Sequence, residues 1–555
     1  MRCVISVSIV FAVRVSFLFG ALMALLGAPA QADQLAFGSF RSPDNAANWA
    51  RKLSATFGQT IGVVEIEVDA RVLYRVTSAE LGDEARLRMA RRADSAGIRY
   101  WRLPRVAPEP QVTTQTAAVQ APEQATAPAR NAIERQPAQL GAARLAPPSP
   151  IDAPLEKRPQ GARAKPGQAK VEWDLGLQTR TFANSGVYGQ DRVEGSFSVQ
   201  MEYFRGWRDD SHSVTVTPFL RVDSADDERT HADLREAYYS RVGDSWDLHV
   251  GARRVFWGVT EFHHLIDIVN QTDLVENIDT EDKLGQPMVQ LSMVRNWGVL
   301  DVFALAGFRE RTFPGSDGRV RLPFDIEDHA TYESGAKRRR MDAALRWSHY
   351  LGPFELGIHH FSGTSREPML IPEVSAGGEV VLRPHYPVID QSGIDAQAFY
   401  GDWAFKLEGL TRSGYGDRYA AANVGFERTL VGVFGSRADL GLVAEYMFDE
   451  RGDEAVNTLF EHDIALGGRV ALNDFADTKA LIGVVFDTNH DDYFISLEAS
   501  RRLGNSWLMS VEGRIFAGGE GLHHNTPPAE LLRHDYKTAW LQEDDYLQLE
   551  FKKFL

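Results

Sequence analysis

Three adjacent histidine pairs, His263-His264, His359-His360 and His523-His524, are the first residues whose type and spacing suggest chemistry. Imidazole is both a metal ligand and a proton carrier near neutral pH. Neighbouring residues on a strand point to opposite faces, so a pair set in a strand cannot chelate one ion; solvated loops are the expected home of these pairs. The run Asp279-Thr280-Glu281-Asp282 could hold calcium or bridge lipopolysaccharide through divalent ions, but it lacks the spacing and turn glycine of a dedicated calcium loop. No nucleotide-binding loop, zinc-ligand spacing or serine-nucleophile motif occurs. Acids and histidines are plentiful, yet nothing selects a catalytic set, so neither an enzyme nor a cofactor is expected. The single cysteine, Cys3, leaves the rest of the chain without disulfides or thiolate metal sites.

The elements that would position such residues fall into regions of different composition. Met1 to Arg14 form a weakly basic start, Val15 to Leu26 an apolar core, and Ala30-Gln31-Ala32 a small-x-small cleavage site, which together read as a signal peptide over residues 1–32. An anchoring helix is the rival, but Arg14 interrupts the apolar stretch and leaves less than the roughly 20 residues a span needs. Residues 33–103 mix strand-like and helix-like patterns. Residues 104–170 are rich in Pro, Ala, Gln and Arg and cannot bury enough surface to offset chain entropy; a disordered tether is expected. Of the net charge of −16, residues 1–32 carry +2, residues 33–103 carry +2, the tether +4 and residues 171–555 carry −24. Acidity confined to the last region argues against nucleic acid as a partner there.

Within 33–103 the expected order is βαββαβ: strands over Gln34–Phe40, Ile61–Val68, Arg71–Thr77 and Ile98–Leu103, and helices over Ser42–Phe57 and Glu80–Ala96. Ala46, Trp49, Ala50 and Leu53 recur at helical spacing, as do Leu81, Ala85 and Met89, so each helix has one apolar face for one side of a sheet. Phe37-Gly38-Ser39-Phe40-Arg41-Ser42, Asn45-Ala46 and Tyr74-Arg75-Val76, at this spacing and in this order, resemble the SPOR domain, a small α+β fold. The resemblance covers about 70 residues. It implies binding of peptidoglycan glycan strands stripped of stem peptides, on the sheet face away from the helices. Strand parity puts Val72, Tyr74 and Val76 toward the helices and Leu73, Arg75 and Thr77 outward. Arg75 matches an arginine of the family's glycan face and Ser39 the serine of its first strand, so the glycan-binding set implied is Ser39, Arg41, Leu73 and Arg75. Ala36 and Leu73 depart from a glutamine and an aromatic residue common in the family, which implies weaker binding.

From Val171 onward a period of two dominates. Val171, Trp173, Leu175 and Leu177 alternate with Glu172, Asp174, Gly176 and Gln178, and Leu440, Leu442, Ala444 and Tyr446 alternate with Asp439, Gly441, Val443 and Glu445. Segments nearer nine to thirteen residues than the five or six of a soluble sandwich suit tilted membrane strands. An antiparallel transmembrane β-barrel of about 16 strands is predicted over 171–555, with 14 or 18 as alternatives, and an aqueous lumen. The last strand, with Leu547, Leu549, Phe551 and Leu555 on one face, resembles those of outer-membrane barrels, which implies the barrel assembly machinery as a partner; ending in Phe554-Leu555 rather than a terminal aromatic is a departure. Gly243-Asp244-Ser245 and Leu351-Gly352-Pro353 are expected as periplasmic turns. The stretches 261–286, 312–337, 365–384 and 517–537 are expected as outer loops.

Around Asp244-Ser245, Leu248, Val250 and Ala252 should face lipid, which puts His249, Gly251 and Arg253 in the lumen and Glu236 opposite Arg253 as an inward cross-strand ion pair. The run 234–273 also resembles segments of poorly characterised porin-like outer-membrane families, whose Glu-Ala-Tyr, Gly-Arg and Trp-Gly elements it shares. Together these readings predict a cell-outer-membrane protein in contact with lipid and lipopolysaccharide, its N-terminal module in the periplasm on peptidoglycan. The barrel is either a channel favouring cations or neutral solutes, or a plugged, non-conducting tether at division sites; a third reading gives the small module another partner.

Overall fold

The computed structural model describes residues 32–40, 43–57, 59–68, 71–78, 89, 101–104 and 169–555, the last range without 209–210, 453–457, 459, 491, 519–525 and 527–537. These residues fall into two compact units. Apart from Ala32, which opens the first strand, and Pro104, Ala169 and Lys170, which lie in strands, the expected signal peptide and tether fall outside the described residues, as does, apart from Met89, the second helix expected over Glu80–Ala96.

The first unit comprises β1 (Ala32–Phe40), α1 (Pro43–Phe57), β2 (Ile61–Val68), β3 (Arg71–Ser78) and β4 (Trp101–Pro104), the strands ordered β2-β3-β1-β4 in one antiparallel sheet. Ala46, Ala50, Leu53 and Phe57 form the apolar face of α1 and pack with Phe37, Ile61, Val76 and Met89, with Tyr74 at the margin. Tyr74 and Val76 therefore lie on the core side, as their parity requires.

The second unit is a closed wall. Its first strands are β5 (Ala169–Phe182), β6 (Val193–Trp207), β7 (His212–Asp223), β8 (His231–Val242), β9 (Trp246–Arg253), β10 (Gln286–Arg295) and β11 (Gly298–Leu305). Two short strands, β12 (Asp325–Ile326) and β13 (Thr331–Tyr332), stand outside the wall and pair with the later segment Val380–Tyr386. The wall resumes with β14 (Asp342–Leu351) and β15 (Phe354–Thr364), after which the β16 (Met369–Val374) and β17 (Val380–Tyr386) hairpin leaves it. It continues through β18 (Val388–Tyr400), β19 (Trp403–Ser413), β20 (Tyr419–Leu430), β21 (Asp439–Asp449) and β22 (His462–Ala471). The last four are β23 (Lys479–Asp487), β24 (Tyr493–Arg502), β25 (Trp507–Ala517) and β26 (Tyr546–Phe554), and β26 pairs antiparallel with β5 to close the ring.

The wall has 18 strands, not about 16. Only two residues separate β10 from β11 and β18 from β19. Turns that short leave little break in a period-two pattern, so neighbouring strands merge when counted from sequence. The even number brings both ends of the wall to one rim, where the turns are short; the longer connections occupy the opposite rim.

Polarity is inverted across this wall. Leu177, Phe197, Leu220, Val250, Ile358, Phe405, Leu442 and Leu466 are exposed on the outside, whereas Asp174, Gln178, Arg221, Lys406, Glu408, Arg412, Glu445 and Arg514 are buried within. Trp246, Tyr350, Tyr400, Trp403 and Trp507 circle the short-turn rim, and Arg241, Arg428 and Lys553 lie over three of those indoles at 5.0–5.2 Å. Closure can be tested with Thr179 and Leu549, direct partners across β5 and β26 that are both exposed on the outer face. In a Cys3-free background the Thr179→Cys, Leu549→Cys pair should be bridged by dibromobimane, giving a fluorescent species of altered gel mobility, while the Thr179→Cys, Leu442→Cys pair should not.

Candidate functional site

The connection 254–285, between β9 and β10, does not project outward as expected for a loop over 261–286. It folds into the barrel. The reason lies in its composition: Trp257, Ile266, Ile268 and Val269 are nearly fully buried against Met288, Phe303, Leu305, Ala344, Phe361 and Ile389, apolar residues that line the inside of the β10–β18 sector. Asn270 ties the segment to itself, donating to the carbonyls of Arg253 and Leu284 at 2.8 Å and accepting from the amide of Val255 at 2.8 Å.

Two wall carboxylates hold the far side of the segment. Glu408 on β19, fully buried, accepts from the amides of Val259 (2.6 Å), Thr260 (2.9 Å) and Ile266 (3.2 Å) and from Thr260 Oγ1 (2.7 Å). Glu445 on β21 accepts from the amides of Glu261 (2.7 Å) and Phe262 (3.0 Å). These carboxylates satisfy backbone donors that would otherwise be buried without partners. Glu261 in turn pairs with Arg469 and, at 3.7 Å, with Lys406. The Phe262 ring enters a notch made by Gly467 and Gly483, which face each other across β22 and β23; a Cβ on either would collide with it.

Further along, Glu276 receives a two-pronged contact from Arg221 at 2.8 and 2.9 Å and a second cation, Arg235, at 3.1 Å. Burial alone would raise this carboxyl, but Arg221 and Arg235 outweigh it and hold it well below the ordinary carboxylate range. Asn277 donates to Glu512 at 3.1 Å and Asp279 lies 3.6 Å from Arg514, which fixes the segment to β25. Burial and the neighbouring Glu512 push the Asp279 carboxyl well above its usual value. A cavity of about 230 Å³ remains beside the segment, with Phe262, His263, Arg412, Tyr419, Phe460 and Arg514 among its lining.

The histidines are distributed differently from the expected solvated loops. His263 faces Phe460 at 5.0 Å inside the barrel, and burial pushes its imidazole down to about 4, so it is neutral at pH 7. His359 points inward to Gln391 (3.0 Å), whereas His360 points outward to Ser392 and Asp390. His523-His524 lie outside the described residues.

His249 hydrogen-bonds Ser240 at 2.7 Å, and Arg253 donates to Gln290 and stacks over Tyr238. The ion pair expected between Arg253 and Glu236 does not form: Glu236 accepts from the Arg254 amide at 3.2 Å instead. The register between β7 and β8 slips at Thr217/Pro218, so Arg235 is left without a cross-strand partner and turns to Glu276. A bulge re-aims side chains in a way that alternation does not reveal. In the small unit, Ser39 lies directly across from Arg75 in the β1–β3 register, so the two share a sheet face, and Leu73 pairs with Ile66. Arg41 lies outside the described residues.

Sequence reasoning did not find Glu408, Glu445, Glu276 or the glycine notch. One signal was available: Leu265, Ile266, Ile268, Val269, Leu274 and Val275 are too apolar a set for a water-facing loop.

No protein-family model matches the chain, and no curated protein matches it. Solved structures similar to it include OmpT, an outer membrane protein of Vibrio cholerae (8% identity, TM-score 0.35, 70% of this chain and 100% of that one). OccK11 (OpdR) of Pseudomonas aeruginosa is similar at 11% identity and TM-score 0.39 over 70% of this chain and 95% of that one. Wzi of Escherichia coli, described as a carbohydrate-binding β-barrel involved in group 1 capsule assembly, is similar at 10% identity and TM-score 0.41 over 68% of this chain and 83% of that one. With every score below 0.5, the architecture rests on the strand pairing itself.

If the wall carboxylates hold the segment, Glu408→Ala strands three amides and a hydroxyl, each costing about 1–3 kcal/mol when buried unsatisfied. The variant should keep its barrel circular dichroism but expose residues 259–266 to protease. Gly483→Leu, which fills the notch, should do the same; protection equal to wild type in both would show that the segment is held elsewhere.

Proposed function

We propose that this chain is an outer-membrane barrel with a restricted lumen, tethered to peptidoglycan by its N-terminal module. The observation that carries the first half is the inverted wall: 18 closed strands with large apolar residues outward and ionisable residues buried inside. A wall of this polarity is stable where its outside meets hydrocarbon, and a closed sheet leaves no unpaired edge there. The aromatic rim fits the headgroup level, with lipid and lipopolysaccharide as the surrounding partners. In this reading both ends of the wall and the short turns face the periplasm, the long connections face outward, and the last strand is what the barrel assembly machinery engages.

The tether half rests on the resemblance of residues 33–103 to the SPOR domain. The pairing of Ser39 with Arg75, on the face opposite Tyr74 and Val76, supports it, as does the exposure of Val64 directly across from Arg75. A cationic residue beside an exposed apolar one suits a sugar chain.

The occupied lumen favours a barrel that conducts little at rest. With segment 254–285 latched in place, passage is limited to small ions and small polar solutes, and the acidic balance of the region favours cations. A barrel serving only as a tether is the second reading, favoured by the same occupancy. Planar-bilayer recording separates them: small, cation-selective steps in wild type that grow several-fold in Glu408→Ala support the restricted channel, and silence in both supports the tether. Wild-type steps as large as those of an open pore would contradict both. For the module, wild type should be retained on amidase-treated sacculi and Arg75→Ala reduced at least fivefold; equal retention on untreated sacculi would remove the glycan assignment.

A further inference from the structure

A second cluster of ionisable groups lies on the long-connection rim, away from the Glu408 latch. Glu461 immediately precedes β22, Asp487 ends β23, and His490 lies in the connection that follows. Each offers one ligand atom, and the three atoms lie within 4.8 Å of one another. Glu461 is fully buried, and the side chains of Asp487 and His490 are 9% and 29% exposed.

The backbone holds these groups in place. Asp487 Oδ1 accepts from the amides of Asn489 (2.7 Å) and His490 (3.0 Å), which fixes the connection around its own carboxylate. Asp463 Oδ2 accepts from the amides of Glu461 (2.8 Å) and His462 (3.2 Å), which fixes the approach of Glu461.

Two carboxylates of this arrangement oppose each other directly. Asp463, buried, is the direct cross-strand partner of Asp487. Like charges directly opposite on a sheet repel, and buried carboxylates are costly without a counter-charge. Among the described residues, neither Asp463 nor Asp487 forms an ion pair with a lysine or arginine; the contact made is His490 Nδ1 to Asp487 Oδ2 at 3.1 Å.

The geometry points to a divalent transition-metal site formed by Glu461, Asp487 and His490, with Asp463 as its supporting carboxylate. Two carboxylate oxygens and one imidazole nitrogen suit zinc, with water completing the shell, better than calcium or magnesium, which prefer oxygen alone. The ion would cancel the repulsion between Asp463 and Asp487 and join the β21–β22 connection to the β23–β24 connection. Phe460, next to Glu461, lines the lumen cavity, so the site would also stiffen the cavity's outer edge.

The test uses the full-length protein in detergent, stripped with EDTA and titrated with Zn²⁺ by calorimetry at pH 7. Wild type should bind one equivalent that His490→Ala and Asp487→Asn each lose, that His385→Ala, on the β16–β17 hairpin outside the wall, keeps, and that a hundredfold excess of Ca²⁺ or Mg²⁺ does not displace. Asp463→Asn should weaken binding about tenfold, as loss of a supporting carboxylate does. Co²⁺ in place of Zn²⁺ should give a visible absorption band that vanishes in His490→Ala. Failure of wild type to bind, or equal binding by wild type and the two ligand variants, would overturn the assignment, as would loss of the equivalent in His385→Ala.

Discussion

A β-strand with an ionisable residue at every second position inside the wall can exist only if those residues meet counter-charges and the alternate positions meet something other than water. That constraint governs the large unit. Leu177, Phe197, Leu442 and Leu466 leave the wall on one side, and Asp174, Arg221, Glu408 and Glu445 leave it on the other. Closing the ring through β26 and β5 satisfies the backbone on both edges, so the remaining problem is the interior.

The interior is solved by the chain itself. Eighteen strands enclose a lumen too wide for wall side chains to fill. Segment 254–285 brings apolar residues to the one sector of the wall whose inner face is apolar, and brings amides, carbonyls and carboxylates to sectors lined by Glu408, Glu445, Arg221 and Arg514. Each contact removes a buried group that would otherwise lack a partner, so wall and segment stabilise one another. The glycine pair at Gly467 and Gly483 shows the same dependence sterically, since the wall is thin where the Phe262 ring must fit.

What was legible in the sequence was whatever depends on local alternation. The facing of Val171, Trp173 and Leu177 against Asp174 and Gln178 follows from a period of two, and Ala46, Ala50 and Leu53 give their helix face by the same logic. The strand number was less legible because two-residue turns hardly interrupt the pattern. The inward course of 254–285 had a signal in its apolar residues, but its partners on the wall were not legible, because Thr260 meets Glu408 across 148 residues of sequence. The Glu236–Arg253 pair failed for a related reason: the β8–β9 ladder stops at Ala237–Ala252, beside the bulge that leaves Arg235 unpaired on β8, and alternation along the hairpin does not announce that bulge.

The inverted polarity of the wall is the claim on which the proposed membrane setting depends, and β21 offers its most direct test. Nitroxide labels placed singly from Leu440 to Tyr446, with Cys3 replaced, can be scanned in lipid vesicles for collision with oxygen and with a water-soluble nickel chelate. Oxygen accessibility should peak at Leu440, Leu442, Ala444 and Tyr446 and fall at Gly441, Val443 and Glu445. Uniform access of the nickel chelate along the strand, with no alternation in oxygen accessibility, would contradict the account.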